Sequence, residues 1–196
     1  EFLLRLIAWM LINTFYRLKK RGVEHIPLEG AALVVCNHVS FVDPVILMAV
    51  SPRPIRFVMD HRIFRTPVIS FIFRHTRAIP IAPAKEDAAM MERALDDGEL
   101  VGIFPEGSIT ATGELNPFRP GVTRILERNP VPVIPLALQG LWGSFFSRKG
   151  GPAMTKPFRR PLFSKIAIVG VDPVAPAQAT PANLQEIVGR LRGEWK

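Results

Sequence analysis

His38 and Asp43 stand in the run Asn37-His38-Val39-Ser40-Phe41-Val42-Asp43-Pro44, which reads N-H-x-S-x-x-D-P, an H-x4-D spacing. An imidazole takes and returns a proton near neutral pH, its unperturbed pKa being about 6.5. A carboxylate bonded to one ring nitrogen fixes the tautomer and leaves the other nitrogen free to accept a proton. Such a pair performs general-base work. The same spacing in isolation also fits a solvated histidine beside a helix-capping aspartate, so other parts of the chain must decide between the two.

A second block follows in Leu100-Val101-Gly102-Ile103-Phe104-Pro105-Glu106-Gly107-Ser108. An apolar strand ends in F-P-E-G-S. Glu106 sets a carboxylate at the strand's end, and Gly107 lets a backbone N–H approach a ligand closely. In open α/β sheets ligands bind beyond the carboxyl ends of the strands. Alone, P-E-G is a common turn; downstream of the His–Asp block it is far more specific.

The elements that must position these blocks follow from hydrophobic patterning. Ala31–Cys36, Ile55–Met59, Ala78–Ile81, Leu100–Phe104, Val131–Leu138 and Phe163–Val169 read as strands. Pro44–Val50, Ala88–Leu95 and Gly121–Glu127 read as helices, the last with Pro120 near its start. Strands alternating with helices imply an α/β domain, a central mixed sheet flanked by helices. Runs such as Leu33-Val34-Val35 suit strands buried on both sides. At the C-terminus Leu184, Ile187, Val188, Leu191 and Trp195 share a helical face that suits packing on the sheet.

The division expected is an amphipathic helix over 1–21 and a single domain over 22–196. Within residues 2–18, Leu4, Ile7, Leu11, Phe15 and Leu18 recur at helical spacing, with Arg5, Asn13, Arg17 and Lys20 opposite. The stretch is shorter than the roughly 20 apolar residues of a spanning helix. With Trp9, Tyr16 and the cluster Arg17, Lys19, Lys20 and Arg21, it suits a helix lying in a membrane interface. An ordinary helix packed on the domain has the same pattern. Residues 144–162 form a basic loop rich in Pro and Gly, either a solvated connection or a second membrane- or substrate-facing segment. The chain opens at Glu1 without an initiator Met, as a piece of a longer polypeptide would.

The 196 residues fit one domain, and 48% hydrophobic content is too much for a disordered chain. The net charge of +8 favours an anionic partner: nucleic acid, an anionic membrane face or phosphate-bearing substrates. Cys36 is the only cysteine, which excludes an internal disulfide and a Cys-rich zinc site. It reads as a small apolar strand end rather than a nucleophile. His25, His61 and His75 read as surface or packing residues. Neither Ser40 nor Ser108 sits in G-x-S-x-G, which argues against a serine hydrolase. No helix-turn-helix, zinc-finger or RNP pattern is visible, so no nucleic-acid partner is expected.

Taken together, N-H-x-S-x-x-D at 37–43, F-P-E-G-S at 104–108 and Val133-Ile134-Pro135 resemble, in order and spacing, the glycerolipid and lysophospholipid acyltransferase family over roughly residues 20–170. The resemblance implies transfer of a fatty acyl group from acyl-CoA or acyl-carrier protein to a lysophospholipid hydroxyl. His38 would be the general base and Asp43 its orienting partner. Asn37, Ser40, Phe104, Pro105, Glu106, Gly107, Ser108 and Arg119 would form the substrate-binding surroundings. Backbone N–H groups near Gly107 would be candidates for stabilising a tetrahedral oxyanion.

No metal or other cofactor is implied. The resemblance further implies a membrane phospholipid surface as partner and a location on the cytoplasmic face of the inner membrane. Two departures stand out. Ile109 follows F-P-E-G-S where the family usually has Arg. Ala82-Pro83 follows the strand at 78–81 where many members also place an Arg. Both arginines are associated with the acceptor's phosphate, and Arg77, Lys85 or Arg119 would have to substitute. The stretch 104–115 is similar to acyltransferase domains fused to synthetase or transporter-like segments, among them bacterial 2-acylglycerophosphoethanolamine acyltransferases, whose acceptors carry a larger headgroup. Two other functions share these features: hydrolysis of a thioester or lipid, with water replacing the alcohol, and membrane-lipid binding without turnover.

Overall fold

The computed structural model describes residues 2–61, 75–81, 86–155 and 163–195. Lys85, Lys156, Arg159 and Arg160, and the Ala82-Pro83 pair, lie outside them.

The strands are β1 (Tyr16–Arg21), β2 (Ala32–Cys36), β3 (Ile55–Asp60), β4 (Ile79–Ile81), β5 (Leu100–Ile103), β6 (Val133–Gln139) and β7 (Ser164–Gly170). The helices are α1 (Phe2–Phe15), α2 (Asp43–Val50), α3 (Glu86–Asp96), α4 (Gly121–Arg128) and α5 (Pro181–Arg192). The strands form one sheet in the order β1-β7-β6-β2-β5-β3-β4. All neighbours run parallel except β6 and β7, so the sheet is mixed, as the alternating pattern predicts.

Every residue of β2 and β5 is buried, because these central strands carry apolar layers on both faces. On one face Val34, Ile55, Phe57, Ile134 and Leu136 pack with Ile46 and Leu47 of α2 and Ile12 of α1. On the other, Leu33, Val35, Val101 and Val133 pack with Leu95 of α3, Val122 and Leu126 of α4, and Leu184 and Val188 of α5. Leu47 is 1% exposed, and its truncation to Ala would cost about 2–5 kcal/mol, a transfer loss plus a cavity.

The N-terminal segment departs from the helix expected over 1–21. The helix stops at Phe15, and Tyr16–Arg21 is an edge strand parallel to β7. Tyr16 and Leu18 fit both a helical face and the alternation of a strand, and pairing with β7 decides the outcome. The side turned to the domain also differs. Arg5, Ala8 and Ile12 face inward, Arg5 donating a hydrogen bond from Nη2 to the Ser51 carbonyl at the end of α2. Ile7, Leu11 and Phe15 are exposed instead. In so apolar a helix periodicity does not select a face; the small Ala8 permits close approach to α2, and Arg5 finds a free carbonyl.

Candidate active site

β2 and β5 are parallel neighbours, so the loops that follow them emerge side by side at the same edge of the sheet. The first loop carries His38 and Asp43, the second Glu106 and Gly107. The topology therefore joins the two sequence blocks.

Asp43 opens α2, with Pro44 after it, and is fully buried. Its Oδ2 accepts from the backbone N–H of Val39 at 2.7 Å and of Ser40 at 2.9 Å, and its Oδ1 from the Ser40 hydroxyl at 2.6 Å. His38 Nδ1 lies 2.8 Å from Oδ2. A carboxylate serving these donors is an acceptor, so Nδ1 carries the proton that points to it and Nε2 holds the free lone pair. Nε2 makes no hydrogen bond within the described residues. The His38 side chain is 18% exposed. The cluster is thus a local turn wound around one carboxylate, with a single unpaired basic nitrogen near solvent.

Three further contacts hold this turn. Glu106 Oε1 accepts from the His38 backbone N–H at 2.7 Å, and its Oε2 from Asn116 N–H at 2.8 Å. Thr110 N–H donates to the His38 carbonyl at 3.0 Å, so the β5 loop grips both sides of His38's backbone. Asn37 is tied to β6: its Nδ2 donates to the Leu138 carbonyl at 3.0 Å and its Oδ1 accepts Leu138 N–H at 2.7 Å. Burial pushes the Glu106 carboxyl up from the usual 4.5, against the two N–H bonds that pull it down. Burial likewise pushes the Cys36 thiol well above its usual range, which keeps it protonated and matches its reading as a strand end.

The residues expected around a substrate separate into two groups. Asn37, Ser40, Pro105 and Glu106 are buried, and their polar groups are engaged by the protein's own chain. Gly107, Ser108 and Arg119 are exposed at the rim, and Phe104 lies half-buried under the His38 ring. Gly107 has φ +70°, and a Cβ built there would meet Arg119 Cζ at 2.6 Å, so the guanidinium rests on the glycine. The Arg119 side chain has no hydrogen bond or ion pair among the described residues. Gly107's own N–H closes a turn onto the Phe104 carbonyl at 3.0 Å, which leaves it unavailable to an oxyanion.

Ile109, where Arg is usual, is 7% exposed. Arg77 bonds Glu99 at 2.7 Å at the opposite edge of the sheet. The strand β5, four residues at about 3.3 Å each, separates that edge from the site.

The segment flagged over 144–162 begins differently from the exposed loop expected: residues 141–147 are buried or half-buried, and exposure starts only at Arg148. Phe41 N–H donates to the Phe146 carbonyl at 3.1 Å, and Ser40 bridges Ser147, so this stretch backs the His–Asp turn. Its packing behind the His–Asp turn rests on contacts with residues about a hundred positions upstream, which no local pattern encodes. His25 pairs with Asp172 at 3.2 Å and His61 meets the Ile81 carbonyl at 3.2 Å, outside this cluster.

Residues 17–139 match the acyltransferase family model, a span that contains both blocks and β6. The chain belongs to the acyltransferase family. Over 146 residues it is 30% identical to the chloroplastic 1-acyl-sn-glycerol-3-phosphate acyltransferase BAT2 of Brassica napus, covering 71% of this chain and 42% of that protein. Over 121 residues it is 28% identical to the 1-acyl-sn-glycerol-3-phosphate acyltransferase of Bacillus subtilis, covering 60% of each. The acyltransferase thus spans between two fifths and three fifths of these relatives. Its fold matches the crystal structure of the 1-acyl-sn-glycerophosphate (LPA) acyltransferase PlsC from Thermotoga maritima, with a TM-score of 0.79 and 19% identity, over 95% of this chain and 76% of that one.

Proposed function

We propose that this acyltransferase moves a fatty acyl group from a thioester, acyl-CoA or acyl-carrier protein, to the hydroxyl of a lysophospholipid. The observation that carries the reading is the 2.8 Å contact of His38 Nδ1 with a fully buried Asp43, with Nε2 unpaired. Nε2 takes the proton of the acceptor hydroxyl as its oxygen attacks the thioester carbonyl. The tetrahedral intermediate collapses with cleavage of the C–S bond, and the imidazolium returns its proton to the departing sulfur. One ester and one thiol result. Asp43 holds the tautomer and balances the imidazolium charge.

Arg119 is the proposed contact for the acceptor's phosphate, being an exposed guanidinium with unused donors that rests on Gly107, next to the Glu106 that anchors His38. No helix among the described residues is long and apolar enough to cross a membrane. The reading instead gives α1 an interfacial role. Phe2, Leu3, Leu6, Ile7, Trp9, Met10, Leu11 and Phe15 are exposed along it, and the exposed Arg17, Lys19, Lys20 and Arg21 follow on β1. Apolar anchors beside cations suit an anionic bilayer surface, here the cytoplasmic face of the inner membrane.

The test is thioester turnover in anionic vesicles with and without lysophosphatidate, lysophosphatidylethanolamine or lysophosphatidylglycerol. Ester formation that requires the lysolipid supports the transferase. Thioester loss at an equal rate without acceptor, and without ester product, would replace it with a hydrolase.

A further inference from the structure

The imidazole of His38 stacks on the ring of Phe104, with centroids 4.2 Å apart and planes 17° from parallel. Phe104 in turn lies nearly parallel to Phe57, at 5.9 Å and 10°. Phe57 is 2% exposed, and its ring lies over Gly102 on the neighbouring central strand. A Cβ at Gly102 would come within 2.8 Å of that ring and 2.7 Å of Ile55. The order Gly102, Phe57, Phe104, His38 is therefore a continuous column that rises from the middle of the sheet to the unpaired nitrogen. Asp43 fixes the imidazole at one edge but does nothing for its faces.

A neutral imidazole gains only packing from such a neighbour. An imidazolium gains more, because the negative face of an aromatic ring attracts a cation within about 6 Å of its centroid. In the proposed reaction His38 becomes an imidazolium as it takes the acceptor's proton. The interaction then strengthens on the way to the transition state, which is the condition for it to raise kcat rather than affinity.

We propose that Phe104 stabilises the positive charge His38 acquires during transfer, and that Phe57, seated on Gly102, is a positioning residue that holds Phe104 flat beneath the imidazole. The inference rests on His38 being the general base. It takes Phe104 out of the substrate-binding role expected from its motif and gives it an electrostatic one. It also explains the glycine in the strand before F-P-E-G-S, since any side chain at 102 would displace the base of the column.

The deciding experiment places 4-fluoro-, 3,5-difluoro- and pentafluorophenylalanine at position 104 of the full chain. Fluorination weakens the ring's negative face while nearly preserving its size. Steady-state acyl transfer to a lysophospholipid in vesicles is then followed beside wild type and His38→Ala. The expected result is a progressive fall in kcat along the series, about tenfold at its end, with KM changed less than twofold and thermal stability retained. Phe57→Leu and Gly102→Ala are each expected to lower kcat several-fold without raising KM, while Phe104→Trp keeps more activity than Phe104→Leu. A flat fluorine series in an enzyme that depends on His38 overturns the role of Phe104 and leaves the base intact. Turnover independent of His38 overturns the base itself and the column with it.

Discussion

The loops that follow β2 and β5 are neighbours in space and opposites in character. In the first, Asp43 takes four contacts from one turn, Ser40 and Asn37 have partners, and one nitrogen is left over. In the second, Gly107, Ser108 and Arg119 are exposed, and the Arg119 guanidinium has no partner among the described residues. Glu106 belongs to the second loop by sequence and to the first by function, because it anchors the His38 backbone. The closed loop holds one geometry through its own hydrogen bonds; in the proposed function the open rim receives the acceptor's anion. Changes in the closed loop should therefore strike kcat or stability, and changes in the rim should strike KM.

Asp43→Asn tests the first half of that comparison most severely. An amide there sets a donor against Val39 N–H, Ser40 N–H or His38 Nδ1–H and releases the tautomer. A kcat loss of about 10²–10⁴-fold is expected, measured by steady-state transfer on protein shown to be folded. A loss confined to KM would break the distinction. Arg119→Ala is next. Removing a charge-assisted contact worth about 1.5–3 kcal/mol should raise KM for the lysophospholipid roughly 10–100-fold with little change in kcat. Arg119→Lys should recover part of it, since an ammonium keeps the charge but loses the fork.

Glu106→Gln is expected to cost about 1–3 kcal/mol of stability, because one of the two N–H groups it serves loses its acceptor. This residue also gives a pH signature. Burial raises its folded-state pKa above the ordinary value, so the folded protein holds that proton more tightly than the unfolded chain. The group's contribution is full below the ordinary value of about 4.5 and is lost as pH rises through the higher folded value. Denaturant melts over that range should show wild type losing ground against Glu106→Gln as pH rises. The opposite trend would mean that the N–H bonds outweigh burial.

How legible each part was depended on the range of the interactions that make it. The His38–Asp43 pair could be read because it closes within one turn. The central strands could be read because burial on both faces demands unbroken runs such as Leu33-Val34-Val35. Glu106's anchoring of His38 joins residues distant in sequence, and no local pattern encodes it. The column from Gly102 to His38 crosses three strands or their loops and was equally hidden. α1 failed for a different reason. With so many apolar residues, its inner face is chosen by Ala8 and by the carbonyl that Arg5 reaches, neither visible in a periodicity. The strand Tyr16–Arg21 is defined only by its partner β7, which lies far along the chain.

The most direct measurement is acyl transfer from labelled acyl-CoA and acyl-carrier protein to a lysophospholipid panel in vesicles, comparing wild type with His38→Ala. Ester formation by wild type and a fall in kcat of about 10²–10⁴-fold in a folded, vesicle-bound variant is the predicted result. Ester formation at an undiminished rate by His38→Ala would contradict the assignment of His38 as the base, and with it the roles of Asp43, Glu106 and the aromatic column.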